Sequence, residues 1–296
     1  MIVQEDVESV KAGVNGDYFA MPELPEVQTL VNDLNAADLV GTTFTSARVY
    51  WPRTIATSSV SNFQRVIRAK KIAAIGRRGK FIVMDLAPSG HLLIHLRMSG
   101  RLHLAPAGTK RSRHEHVVFE LENTGELRFH DTRKFGRVFL VPDPDAILGH
   151  LGIEPLTSAF NVTALKASLT SRKRLLKPLL LDQSIIAGLG NIYVDEALWE
   201  AGLHPCRRSH TLSGPEINAL RWAIPRVLKR GLRNLGTTLG TGKANFYSIA
   251  RHRGRNQDEL HVFRRTGSPC PRCQQTIERI IVGQRSTHIC PKCQPA

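Results

Sequence analysis

The sequence predicts an α+β protein in three parts: an N-terminal β-sandwich with flanking helices, a C-terminal helical domain, and a terminal four-cysteine zinc finger. Three observations carry this. From about residue 42 to residue 145 short β-rich runs alternate with turn residues. Beyond residue 150 the apolar residues fall into stripes with basic faces. The chain ends in two C-x2-C pairs.

The elements follow in order. After Pro25, residues Val27, Leu30, Val31 and Leu34 recur at i, i+3, i+4 and i+7, the stripe of an amphipathic helix. Pro25 suits its first turn and Glu26 its positive end. The runs KFIVMDL, HLLIHLRM, RLHLA, HVVFELE, ELRFHD and RVFLV read as strands, punctuated by Ser-Gly and Asn-Thr-Gly turns. TALKASLTSRKRLLKPLLLD and PEINALRWAIPRVLKRGLRNL read as helices, the second kinked at Pro225. Between them Gly188 and Gly190 make a tight turn before another helix. Residues 236–258, rich in Gly, Asn and Arg, read as a mobile loop. The domains expected are 22–150, 151–258 and 260–296, with residues 1–20 an N-terminal extension.

The 296 residues include 41 Lys and Arg against 25 Asp and Glu, a net charge of +16. The sequence pI is near 10.2. An excess this large indicates a polyanionic partner, nucleic acid first and an anionic membrane surface second. No apolar run approaches the roughly 18 residues of a membrane span. The first twenty residues lack the basic and apolar regions of a signal peptide. An intracellular, nucleic-acid-facing protein is expected.

Cys270, Cys273, Cys290 and Cys293 form C-x2-C-x16-C-x2-C, the spacing of a tetrahedral zinc site. Two disulfides would use the same cysteines, but a reducing cytosol disfavours them. Four thiolates leave no open coordination position, so one zinc ion with a structural role is expected. Cys206 is read as an incidental thiol.

MPELPEV at 21–27, RRGKF at 77–81, HLRMSG at 95–100, DTRKFG at 131–136 and AGLGNIY at 187–193 precede the cysteine module in an order that resembles the formamidopyrimidine-DNA glycosylases. The resemblance runs from Met21 to the last cysteine pair. It implies a bifunctional DNA glycosylase and AP lyase that excises oxidised purines from duplex DNA. In that family a proline freed by loss of the initiator methionine is the nucleophile, here Pro22. A free prolyl amine can attack a sugar C1′ and form an iminium, which an acylated proline cannot. Glu23 matches the general acid and base. Glu26 is read as orienting the amine or capping the helix. Lys80 matches a catalytic lysine that contacts the lesion phosphate, and the turn Arg77-Arg78-Gly79 is expected to present donors beside it.

An enzyme acting on a base must extrude it and fill the gap. Met98, Arg133 and Phe135 resemble the family's void filler, orphan-base reader and wedge. Lys134 is read as a phosphate contact or a solvated charge. Arg97 stands where relatives often carry Gly. Residues 183–205 resemble the helix-two-turn-helix, whose turn would bring Asn191 to phosphate. Arg285 resembles the arginine at the tip of the zinc hairpin, and His114 and Lys177 match basic DNA-binding positions. The loop 237–258 matches the segment that encloses the flipped base, with a wording that departs from the family. The implied partner is double-stranded DNA with oxidised bases or abasic sites, and the implied state a monomer in the bacterial cytoplasm, associated with the nucleoid.

Two rival readings are carried. An endonuclease VIII-like enzyme for oxidised pyrimidines is disfavoured by PELPE in place of PEGPE. A non-catalytic lesion or abasic-site binder follows if residues 1–20 are retained and Pro22 stays acylated. The favoured reading places translation start at Met21, ahead of removal of the segment after synthesis.

Overall fold

The computed structural model describes residues 21–123, 125–239, 246–249 and 252–296; the expected extension at 1–20 lies outside them. Helix α1, Leu24–Ala36, forms as its stripe predicts. Val27, Leu30, Val31 and Leu34 are at most 3% exposed, and Pro25 lies in the first turn.

The six β-rich runs all become strands. β1 (Phe44–Val49), β2 (Lys71–Arg78), β3 (Phe81–Ala87), β4 (His91–His95), β5 (Gly100–Ala105), β6 (Glu115–Leu121), β7 (Gly125–Asp131) and β8 (Arg137–Val141) form two four-stranded antiparallel sheets. Their orders are β1-β6-β7-β5 and β2-β3-β4-β8. Phe44, Phe63 and Phe119 pack between the elements with ring centroids 5.5 and 6.1 Å apart, in one core with the apolar face of α1. Helix α2, Val60–Ile67, was not anticipated; Ser59 caps it, accepting from Asn62 N, and Phe63 and Ile67 anchor it.

This topology places two loops side by side. The chain steps from one sheet to the other between β4 and β5 and again between β7 and β8. His95 pairs with Arg137, and Gly100 with Asp131, so both connections leave the same end of the sandwich. The expected run HLLIHLRM therefore stops at His95, and Leu96–Ser99 turn, with Arg97 in the left-handed region at φ 53°.

Beyond α3 (Asp145–Leu148), the expected single helix over 163–182 is two: α4, Val162–Thr170, and α5, Leu176–Leu180. Pro178 explains the break. Its ring excludes a helical carbonyl at Arg174, four residues earlier, but is tolerated in a first turn. Helix α6 spans Asn191–Ala201 and ends at Gly202, φ 68°. Helix α7, Gly214–Arg233, runs as one element through Pro225. The helices share a second core, which also takes Leu24. Phe246 and Ile249 belong to the sandwich core, although the sequence grouped them with the helical domain. The chain closes with the hairpin β9 (Glu278–Val282) and β10 (Arg285–Ile289). Among the described residues no helix is long and apolar enough to cross a membrane.

Candidate active site and nucleic-acid interface

Pro22 and Glu23 sit where the two cores meet. Leu24 packs into the helical core while Val27 packs into the sandwich. Leu24 N donates to Gly188 O at 3.0 Å, which pins the entry of α1 to the turn before α6. Pro22 is buried beside it.

Helix α6 begins at Gly190, which has no side chain to cap its exposed N–H groups. Glu23 caps it from across the chain: its carboxylate accepts from Ile192 N at 2.9 Å and Tyr193 N at 3.3 Å. An anion at a helix N-terminus is favoured by those donors and by the helix dipole. Glu26 completes a second layer, accepting from Glu23 N at 2.9 Å, Tyr193 Oη at 2.8 Å and Thr237 N at 2.7 Å. The sequence suggested Glu26 as an orienting group, and the structure adds Tyr193 and Thr237 as its partners. No local pattern could reveal those two, because 167 and 211 residues separate them from Glu26.

Both carboxylates are 2% exposed. Burial raises the pKa of Glu23 to about 7, against the lowering effect of the Lys80 charge; Glu26 adds to the rise. Burial likewise raises Glu26. Lys80, 4% exposed, is held below the ordinary lysine range by burial, opposed by Glu23 and Glu26 and reinforced by Arg285 and Arg97. The site thus joins a carboxylate that can hold or release a proton near neutrality to a buried amine, the pattern of acid–base sites.

The neighbouring arginines are corrected. Arg77 and Arg78 do not face outward as donors for phosphate. Both pair with Glu154, at 2.8 and 3.1 Å, and Arg78 Nη2 also donates to the carbonyls of Leu151 and Gly152. Their role is to clamp the β2–β3 turn, and with it Lys80, onto the helical domain.

Met98 is half-buried in the β4–β5 turn, and Arg133 and Phe135 are exposed in the β7–β8 loop. The Arg133 guanidinium lies 4.9 Å from the Phe135 ring centroid. Asp131, fully buried, ties the two loops together: its carboxylate accepts from Ser99 Oγ, from Arg133 N at 3.1 Å and from Gly136 N at 2.7 Å. Sequence reading missed this residue, although it opens the DTRKFG motif. His114 is half-buried, edge-on to His130 at 5.7 Å.

On the opposite domain Asn191 Nδ2 donates to Ser286 O at 3.0 Å, and the exposed Arg285 precedes that serine in the zinc hairpin. Lys177 departs from expectation. It is fully buried, and its three protons go to Asp195 Oδ1 at 2.6 Å, Thr287 Oγ1 at 2.8 Å and Ser286 O at 3.0 Å. No proton or surface is left for a phosphate; the lysine ties α5, α6 and the hairpin together. Lys177→Met is expected to lower stability by about 3–5 kcal/mol, because it strands the buried Asp195 charge. Urea unfolding followed by tryptophan fluorescence checks this.

The four thiols Cys270, Cys273, Cys290 and Cys293 converge within 4.8 Å of one another. Three of the Sγ–Sγ separations are 3.4, 3.4 and 3.9 Å, too long for disulfides. A tetrahedral ion with Zn–S of about 2.3 Å spaces its thiolates about 3.8 Å apart. Trp199 Nε1 donates to Cys270 Sγ at 3.4 Å, and Val262 and Ile277 wall the cluster. The donor set fits zinc. Cys206 is exposed and stands apart. Of the loop expected at 237–258, residues 240–245, 250 and 251 lie outside the described residues; Thr237 and Thr238 are buried, and Ile249 N donates to Asp33.

Comparison with known proteins agrees with this architecture in every segment. Family models match for the formamidopyrimidine-DNA glycosylase N-terminal domain over residues 21–138, its H2TH domain over 151–242, and a zinc finger found in FPG and IleRS over 267–296. A formamidopyrimidine-DNA glycosylase of Protochlamydia amoebophila is 47% identical over 93% of this chain and 99% of its own. One from Herpetosiphon aurantiacus is 44% identical over 93% and 100%. Among solved structures, a Lactococcus lactis FPG mutant bound to Fapy-dG DNA superposes with a TM-score of 0.86 at 33% identity, covering 93% of this chain and all of that one. The Lactococcus lactis Fpg with abasic-site DNA gives 0.84 at the same identity and coverage.

Proposed function

The chain belongs to the formamidopyrimidine-DNA glycosylase family, and on that premise we propose that it is a base-excision DNA glycosylase with abasic-site lyase activity. Its substrates are oxidised purines, 8-oxoguanine and formamidopyrimidines, in duplex DNA. The observation that carries this reading is the buried Glu23 carboxylate, adjacent in the chain to Pro22, with a pKa of about 7.

The chemistry follows from that pair. The secondary amine of a free Pro22 attacks the sugar C1′, and Glu23 gives its proton to the ring oxygen as the ring opens. The prolyl nitrogen gives up its N–H proton, the damaged base departs with the glycosidic electrons and takes up a proton, and an iminium between Pro22 and C1′ remains. The iminium acidifies the C2′ proton; once that proton is removed, the 3′-phosphate and then the 5′-phosphate leave by β,δ-elimination. Lys80, Asn191 and Arg285 hold the phosphates beside the lesion. Met98 fills the gap in the stack, Phe135 wedges beside it, and Arg133 reads the orphaned base. His114 contacts the backbone. One structural zinc ion holds the hairpin that carries Arg285, and the enzyme works as a monomer in the bacterial cytoplasm.

Catalysis requires Pro22 to be N-terminal, and the favoured route is a start at Met21 with loss of that methionine, ahead of removal of residues 1–21 after synthesis. The start of the family match at residue 21 supports this. Residues 22–150 carry the catalytic sandwich, 151–258 the helix-two-turn-helix with the lesion loop, and 260–296 the zinc finger.

Borohydride reduction during reaction tests the proposal. Protein beginning at Pro22 is expected to form a covalent adduct with an 8-oxoguanine duplex, and protein beginning at Met1 none. Equal trapping by both forms, or none by either, overturns the prolyl mechanism. A panel with oxidised-pyrimidine duplexes separates the endonuclease VIII-like specificity.

A further inference from the structure

Three cation–aromatic pairs stand in a row on the sandwich surface. Arg133 lies over Phe135 at 4.9 Å. Lys134, the next residue, turns the other way, at φ 61°, and sets its ammonium 3.8 Å from the Trp51 ring centroid. Tyr50, adjacent to Trp51, carries the Arg111 guanidinium 4.1 Å from its own centroid. Covalent neighbours 133–134 and 50–51 make the row continuous. It is also tied to the loop anchor: Trp51 lies 6.5 Å from His116, whose Nε2 bonds to the Asp131 carbonyl at 2.7 Å.

The row is open and its charge is unspent. Tyr50 is 43% exposed and Phe135 47%, and Arg111, Arg113, Arg133 and Lys134 are exposed. Among the described residues none of these four cations pairs with a carboxylate. By contrast Arg48, on the adjoining strand β1, bridges Glu120 and Glu126. An exposed cation–π contact returns little stability. That return is small against a non-glycine residue in the left-handed region and large rings left in water.

We propose that Tyr50, Trp51, Arg111 and Lys134 form a second DNA-contact surface, which grips the phosphodiester backbone of the duplex flank on one side of the wedge. The inference rests on the glycosylase reading for the position of the wedge. Charge complementarity and continuity with the Arg133–Phe135 loop select this occupant over an acidic protein. The rings hold the two cations at the surface, and the cations neutralise phosphates of the flank.

The test is a binding titration over a range of salt concentrations, comparing the wild type with the double variant Arg111→Ala/Lys134→Ala. Both residues are exposed, so the fold is retained. The probes are duplexes with a tetrahydrofuran abasic analogue and either the left or the right flank shortened. Each lost phosphate contact reduces the slope of log K against log salt by about 0.9, so the pair is expected to reduce it by about 1.8. Shortening one flank, and not the other, should erase the difference between the two proteins. An unchanged slope, as a docking site for an acidic protein would give, overturns the proposal, and so does a loss indifferent to which flank is cut. Wild-type excision on a separate 8-oxoguanine duplex is the reference: a protein that binds the tetrahydrofuran duplexes but releases no base from that substrate fails the proposed function and leaves this comparison readable.

Discussion

Glu23→Gln should slow single-turnover base excision by about 10²–10⁴-fold, the usual worth of a positioned acid–base group, while binding to an abasic-analogue duplex changes little. The amide oxygen of glutamine can still accept from Ile192 N, while its amide nitrogen cannot replace the oxygen that accepts from Tyr193 N, so the cap on α6 is thinned to its shorter bond as proton transfer is lost. The pH profile gives the sharper reading. With its pKa raised to about 7, Glu23 donates while protonated, so excision by the wild type should fall as pH rises through that value. The glutamine variant should lack this limb. Stability runs in the same direction. The folded protein holds a proton that the unfolded chain releases from about 4.5 upward, so this stabilisation is complete below 4.5 and is lost as pH rises through about 7. Thermal melts at pH 5 and pH 8 should therefore differ more for the wild type than for Glu23→Gln. Equal excision rates for the two proteins would remove Glu23 from the chemistry.

Gly190→Ala is expected to be as damaging, by a different route. A Cβ at position 190 would lie 2.3 Å from Glu23 Cδ and 2.5 Å from its Oε1. The obstacle is a carboxyl fixed by two backbone N–H groups, so it cannot swing away without uncapping α6. Overpacking of this kind costs about 1–3 kcal/mol, and a misplaced acid forfeits its rate contribution as well. Gly76→Ala is the control, since a Cβ there meets nothing within 4 Å. The expected outcome is a lowered melting temperature and an excision defect for Gly190→Ala, with neither for Gly76→Ala. If Gly190→Ala excises at the wild-type rate, the close packing described at this turn is not required.

Much of this was legible in the chain because it is local. The strand runs, the stripe of α1 and the cysteine spacing depend on neighbours within a few residues, and all formed. One failure was local, and the others were decided at a distance. TALKASLTSRKRLLKPLLLD carries a helical stripe throughout, yet Pro178 divides it. Lys177 was read as a DNA contact from its match to a basic position of the family, and the Arg77-Arg78 pair as donors from its place beside Lys80. Asp195 and Glu154, each remote in sequence, consume them. Asp131 was overlooked for the converse reason: its importance lies in joining two loops that only the sheet pairing brings together. The motif strings located the site, and tertiary hydrogen bonding decided which of their residues face it.

The capping of α6 by Glu23 also sets a schedule. Protein synthesis delivers the sandwich first and Ile192, Tyr193 and Thr237 much later, and domains generally fold as they emerge. Until those donors arrive, Glu23 and Glu26 remain solvated, ordinary carboxylates. A half-made chain on the ribosome, which already carries Pro22, Met98 and Phe135, therefore lacks the buried acid. The buried acid is complete only when the helical domain closes over Pro22 and Glu23.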